Sequence, residues 1–177
     1  MIALKSVCGG VFTVVLTGLL ALGSVVHAQD KKDKLDLDKI PKKVMDTLKA
    51  KFPKGEIHKW TMEKEGDDVI YDIEFKQGKQ KFEADIKEDG TLLNWEKEIE
   101  AKDLPEAVKK TVDKRYPKAT LKEIMEITEV KNKKEVLEGY EIVLETADKK
   151  EVEITIAPDG KVLEDSGEKK EEKKDKK

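Results

Sequence analysis

The sequence predicts an α+β fold of two tandem modules, each one helix packed on a four-stranded antiparallel sheet. Three observations predict it. The chain repeats itself at an offset of 64 to 70 residues, each copy opens with apolar residues four apart, and each then alternates apolar with charged residues.

The repeat organises everything else. Ile40-Pro41 aligns with Leu104-Pro105, Val44 with Val108, Leu48 with Val112, Phe52-Pro53 with Tyr116-Pro117 and Ile57 with Leu121, all at offset 64. Tyr71-Asp72-Ile73-Glu74-Phe75 aligns with Tyr140-Glu141-Ile142-Val143-Leu144 at offset 69. Phe82-Glu83-Ala84-Asp85-Ile86 aligns with Val152-Glu153-Ile154-Thr155-Ile156 at offset 70, as does Asp89-Gly90 with Asp159-Gly160. The offset drifts only where loops are expected, so short insertions account for it. Shared composition alone does not keep apolar residues, prolines and glycines in step.

The first element of each copy reads as a helix. Ile40, Val44, Leu48 and Phe52 form one stripe, widened by Met45; Leu104, Val108, Val112 and Tyr116 form the other, with Ala107 beside them. Asp38 and Asp103 are candidate N-caps, and Pro41 and Pro105 suit a first turn, where the missing N–H costs nothing. Pro53 and Pro117 end both helices, because a residue before proline is pushed out of the helical region.

The strands follow. Tyr71, Ile73 and Phe75 oppose Asp72 and Glu74, while Phe82, Ala84 and Ile86 oppose Glu83 and Asp85; Tyr140, Ile142, Leu144, Val152, Ile154 and Ile156 repeat the pattern. Such alternation marks antiparallel strands with one face on a core. Turns are expected at Gln77-Gly78, Asp148-Lys149, Asp89-Gly90 and Asp159-Gly160. An earlier strand is expected over Ile57–Met62 and Leu121–Ile127, and a last one at Leu92-Leu93 and Val162-Leu163.

The ends of the chain have a different character. Lys5 precedes an uncharged stretch from Val7 to Val26, which closes on Val26-His27-Ala28. That is the layout of a cleavable secretory leader, with the cut expected between Ala28 and Gln29 and the product periplasmic or secreted. The expected organisation is therefore a signal peptide over 1–28, a linker over 29–36, repeats over 37–99 and 100–165, and a disordered charged tail over 166–177. Cleavage removes Cys8 and His27, leaving a mature chain with His58 as its one histidine and no cysteine, which excludes disulfides, thiolate nucleophiles and cysteine zinc sites. Charged residues make up 42% of the chain, but they nearly balance at a net −3, which describes a solvated surface and not a nucleic-acid or membrane footprint.

These residues carry a resemblance. A helix ending in an aromatic-Pro pair, a strand, Tyr71-x-Ile73-x-Phe75, a turn, Phe82-x-Ala84-x-Ile86 and Asp89-Gly90-x-Leu92-Leu93 resemble the PepSY superfamily, in particular its PepSY-like, β-lactamase-inhibitor-like branch of exported bacterial proteins. The resemblance spans Leu37 to Asp165 and its motifs are structural. It implies small helix-on-sheet modules outside the cytoplasm, some in protease propeptides and some restraining hydrolases, with no catalytic residues to carry over. The expected function is thus an exported, non-catalytic binding protein that inhibits or regulates an extracytoplasmic hydrolase of protease or β-lactamase type. The alternative is an envelope protein binding cations or basic ligands on acidic sheet faces. Neither reading calls for a cofactor.

The available chemistry agrees. A nucleophile needs a base beside it, and His58 and Ser166 are the only mature histidine and serine. His58 reads as a solvated strand residue. Paired carboxylates carry little information in a chain with 39 acidic residues. The candidate partner-binding residues are Asp72, Glu74, Glu83 and Asp85, which either hairpin register sets carboxylate against carboxylate, together with Trp95. Glu141, Glu145, Glu151 and Glu153 repeat the acidic theme. Trp60 aligns with Ile124 and belongs to the core, whereas Trp95 aligns with Asp165 and is either packing between the modules or an exposed anchor of an interface.

Overall fold

The computed structural model describes residues 35–167. The predicted leader, most of the linker and the tail from 168 onward lie outside the described residues. Two helices, α1 (Lys42–Lys51) and α2 (Glu106–Arg115), accompany eight strands: β1 (Glu56–Glu65), β2 (Asp68–Gln77), β3 (Gln80–Lys87), β4 (Leu92–Glu98), β5 (Thr120–Lys131), β6 (Lys134–Glu145), β7 (Glu151–Ile156) and β8 (Val162–Asp165). None of the described helices is long and apolar enough to cross a membrane.

The fold is α+β, but the expected pair of four-stranded sheets is a single antiparallel sheet running β1 to β8 in sequence order. The correction lies in β4. Expected only around Leu92-Leu93, it continues to Glu98 and pairs with β5 from Asn94↔Glu129 to Glu98↔Met125. Without that pairing each module would end in a row of unpaired backbone groups, which sheets avoid. The backbone thus joins what the side-chain pattern keeps apart.

The helices are entered differently from expectation. Asp38 and Asp103 sit in short 3-10 turns, Leu37–Lys39 and Ala101–Asp103, and cap nothing. Pro41 and Pro105 hold the cap positions, with extended ψ of 144° and 147°, and no side chain bonds to either helix start. A residue before proline is barred from the helical region, so Ile40 and Leu104 stay extended and turn their side chains into the core.

Each helix covers one half of one sheet face. Val44, Leu48 and Phe52 pack on Tyr71, Ile73, Phe75, Ala84 and Ile86; Val108 and Val112 pack on Ile124, Tyr140, Ile142, Leu144, Ile154 and Ile156. The Asp-Gly turns fasten each helix to its strands. Thr47 and Thr111 donate through Oγ1 to the carbonyls of Gly90 and Gly160, both at 2.7 Å. Both glycines have φ of +90°, and a Cβ there would stand 3.1 Å from the Lys43 carbonyl and 2.9 Å from that of Ala107. Only glycine fits the conformation and the gap.

A second fastening ties the end of each helix to its fourth strand. Trp95 lies beside Ala84 as Asp165 lies beside Ile154, so these two occupy equivalent places. In the first module the Lys51 ammonium lies 4.8 Å over the Trp95 ring and the Phe52 ring meets it edge-on at 5.9 Å. In the second, Arg115 bonds Asp165 at 2.9 Å and Tyr116 donates its hydroxyl to the same carboxylate. Cation–π packing in one copy is replaced by a sheltered ion pair in the other.

Candidate functional site

The face of the sheet without helices is where polar groups gather. Register fixes its composition. Lys59, Glu74, Glu83, Glu96 and Ile127 form one row across β1 to β5, and Thr61, Asp72, Asp85, Asn94 and Glu129 form the next. Glu98, Met125, Glu141 and Thr155 continue the face across β4 to β7, and Glu123, Val143 and Glu153 lie one row beyond. Asp72 therefore stands opposite Asp85, and Glu74 opposite Glu83, as the sequence requires. In the second hairpin only Glu145 and Glu151 are so opposed, because Glu141 faces Thr155 and Glu153 faces Val143.

This face is acidic but not simply solvated. Met125 and Ile127 lie on it and are only 2% and 8% exposed, and Asp72 is 9% exposed. Irregular register at Ile57/Lys59, Asp85/Ile86, Leu121/Glu123 and Ile127/Thr128 bends the strands, since a bulge sharpens local twist. Of the acids on this face, Asp72 is buried and Glu83, Asp85, Glu96 and Glu141 are only partly exposed.

Desolvation dominates their titration. Burial pushes the Asp72 carboxyl up to about 7, with Asp85, Glu83 and Glu74 adding to the effect and Lys59 opposing it. Glu83 is raised by burial and by Glu74, against Lys81. Asp85 is raised by burial despite the 2.9 Å hydrogen bond that Asn94 donates to it. Glu96 and Glu141 are raised well above the usual carboxylate range, first by burial and then by neighbouring acids, Glu141 acting on Glu96 and Glu153 on Glu141. The nearby cations are engaged elsewhere along the face: Lys59 bonds Glu74, and Lys81 bonds Glu123 and lies 3.6 Å from Glu83.

The four carboxylates picked from the sequence come together here. Trp95 does not join them. It is level with Ile73, Ala84 and Thr128, on the helix face, and packs with Phe52 and Phe82. The reason is strand phase: β4 is continuous from Leu92 to Glu98, so Glu96 takes the acidic face and Trp95 the other. Trp95 is a packing residue of the first module, and the middle of the acidic face is formed instead by Glu96, Glu141, Met125 and Ile127. The alternation Trp95-Glu96-Lys97-Glu98 was the one sequence signal for this, masked by its high charge.

His58 is exposed on β1, and Ser166 follows β8 at the other end of the strand order, where its Oγ accepts a hydrogen bond from the Glu153 N–H. Among the described residues, no three His, Cys, Asp or Glu side chains are placed to hold a metal ion. The carboxylates run along strands and do not converge on a point.

Comparisons with known proteins bear on the fold. A family profile described as beta-lactamase-inhibitor-like, PepSY-like matches residues 25–94 and 69–164. No curated protein matches the chain in sequence. A DUF2874 family protein from Bacteroides uniformis superposes with a TM-score of 0.55 at 12% identity, over 71% of this chain and 87% of its own. A protein from Bacteroides eggerthii described as periplasmic gives 0.54 at 13% identity, over 71% and 86%. A DUF2874 family protein from Bacteroides ovatus gives 0.50 at 14% identity, over 71% and 85%. At these identities the likeness is one of fold.

Proposed function

Because this chain belongs to the beta-lactamase-inhibitor-like, PepSY-like family, we propose that it is an exported, non-catalytic binding protein that grips a protein partner with the helix-free face of its sheet. One observation carries the reading. That face holds Asp72, Glu83, Asp85, Glu96 and Glu141 over the buried Met125 and Ile127, with more carboxylates than its own lysines neutralise. Buried, poorly neutralised charge is costly, and a positively charged partner removes the cost. The partner class the family description supports is an extracytoplasmic hydrolase. The secretory leader expected from the sequence and the periplasmic description of the Bacteroides eggerthii neighbour support a location outside the cytoplasm.

A divalent cation is a weaker occupant, because the carboxylates are spread over several strands and, among the described residues, no three are placed to hold a metal. The test is direct. Purified protein beginning at Gln29 is titrated into assays of a serine β-lactamase and of secreted proteases from the same envelope. Stoichiometric inhibition of one of them, weakened by raising the salt, is the expected result. Unchanged rates with every hydrolase at protein concentrations of tens of micromolar would remove hydrolase restraint from the account.

A further inference from the structure

The centre of the acidic face has a feature that net charge does not explain. Glu96 on β4 is level with Ile127, and Glu141 on β6 is level with Met125, so the two carboxyls flank a buried apolar floor. The Glu96 Oε2 is sealed from solvent and accepts no hydrogen bond. A sealed, unpartnered carboxylate oxygen is among the costliest groups a fold can hold, unless a proton or a cation sits on it.

The charged groups around this pair are known on every side. From β3 it faces Glu83 and Asp85, from β2 Asp72, and on β5 and β7 the flanking acids are Glu123 and Glu153. Lys59 and Lys81 on the same face are bonded to Glu74 and Glu123. Lys97 points to the helix side, 3.2 Å from Glu126. The surroundings thus supply acids to the pair and spend their lysines on others.

We propose that Glu96, whose sealed Oε2 has no protein partner, holds a proton in the free protein, and that a lysine or arginine of an extended partner segment, seated over Met125 and Ile127, takes the proton's place. The inference rests on the docking reading above and adds its regulation. The carboxyl loses its proton to water as the partner's cation arrives, so charge balances and no other reactant is needed. The burial and the surrounding acids that raise both carboxyls above neutrality have the sign this requires.

Two measurements on the chain from Gln29 decide it. Carboxyl carbon NMR of the free protein, assigned with Glu96→Gln and Glu141→Gln, is expected to show Glu96 holding a proton at pH 7; a fully ionised Glu96 at that pH would overturn the proposal. Calorimetric binding of a synthetic decapeptide alternating lysine and leucine is then run in two buffers of different ionisation heat. About one proton released per peptide is expected, with affinity rising roughly tenfold per pH unit between 6 and 8, and with Glu96→Gln flattening that slope. Binding with no proton release overturns the proton exchange and leaves the docking face standing. Failure of the peptide to bind at any pH overturns the docking face itself, and the exchange with it.

Discussion

Ile73 and Glu74 are neighbours in sequence and face opposite worlds. Ile73 is fully buried between Val44 and Ala84's strand, whereas Glu74 lies on the acidic face bonded to Lys59. Ile73→Asp places an unpaired charge in the core and is expected to cost several kcal/mol, enough to unfold the first module. Glu74→Lys exchanges one ion pair for another with Glu83 and is expected to stay within about 1 kcal/mol of wild type. Thermal melts of the two variants check the strand phase; equal losses would contradict it. Asp72 gives a pH prediction. Its folded pKa of about 7 lies above the ordinary value of 3.8, so the folded state holds the proton more tightly. That contribution is complete below about pH 4 and is lost as pH rises through 7. The melting temperature is expected to fall between pH 5 and 8, and Asp72→Asn to lessen the fall. A rise over that interval would count against the desolvated face.

At the scale of elements, the two copies keep the same joints and change their chemistry. Gly90→Ala and Gly160→Ala should each destabilise by about 1 kcal/mol or more, because both require a left-handed conformation and both meet a helix carbonyl. Asp165→Ala removes the carboxylate that both Arg115 and the Tyr116 hydroxyl bond, and Trp95→Ala empties the space beneath Lys51 and beside Phe52. Each is expected to lower stability by about 2 to 4 kcal/mol, read from urea unfolding. A Trp95→Ala protein as stable as wild type would return Trp95 to the surface. The helices and inner strands were legible because apolar spacing of four or two shows directly in Val44-Leu48-Phe52 and Tyr71-Ile73-Phe75. The reach of β4 was not. Asn94, Glu96 and Glu98 put polar groups on a face that usually signals solvent, and only the backbone pairing with Met125 to Glu129 reveals a central strand. The joint at Asp165 was equally hidden, since an alignment of Trp95 with an aspartate reads as a gap in the repeat.

For the whole molecule, the continuous sheet couples two otherwise separate cores. Strands β4 and β5 pair over five residue pairs, and Lys51 of α1 bonds Glu135 of β6, so one module cannot open without exposing a new edge of the other. Calorimetry of the chain from Gln29 is expected to show one transition whose calorimetric and van't Hoff enthalpies agree. Two resolved transitions would mean that the modules behave as independent domains. The candidate surface was half legible for the same reason. Alternation put Asp72, Glu74, Glu83 and Asp85 on one face, but the carboxylates at its centre come from β4 and β6, which only a shared sheet brings together.

The central claim is that this helix-free face receives the partner. Its most direct measurement is capture from envelope extract by three immobilised proteins: wild type, Glu74→Lys/Glu83→Lys on the acidic face, and Lys110→Glu/Lys114→Glu on the exposed side of α2. The account predicts that a protein retained by wild type is lost from the first variant and kept by the second. Retention by the first variant and loss from the second would place the docking surface on the helices and contradict it.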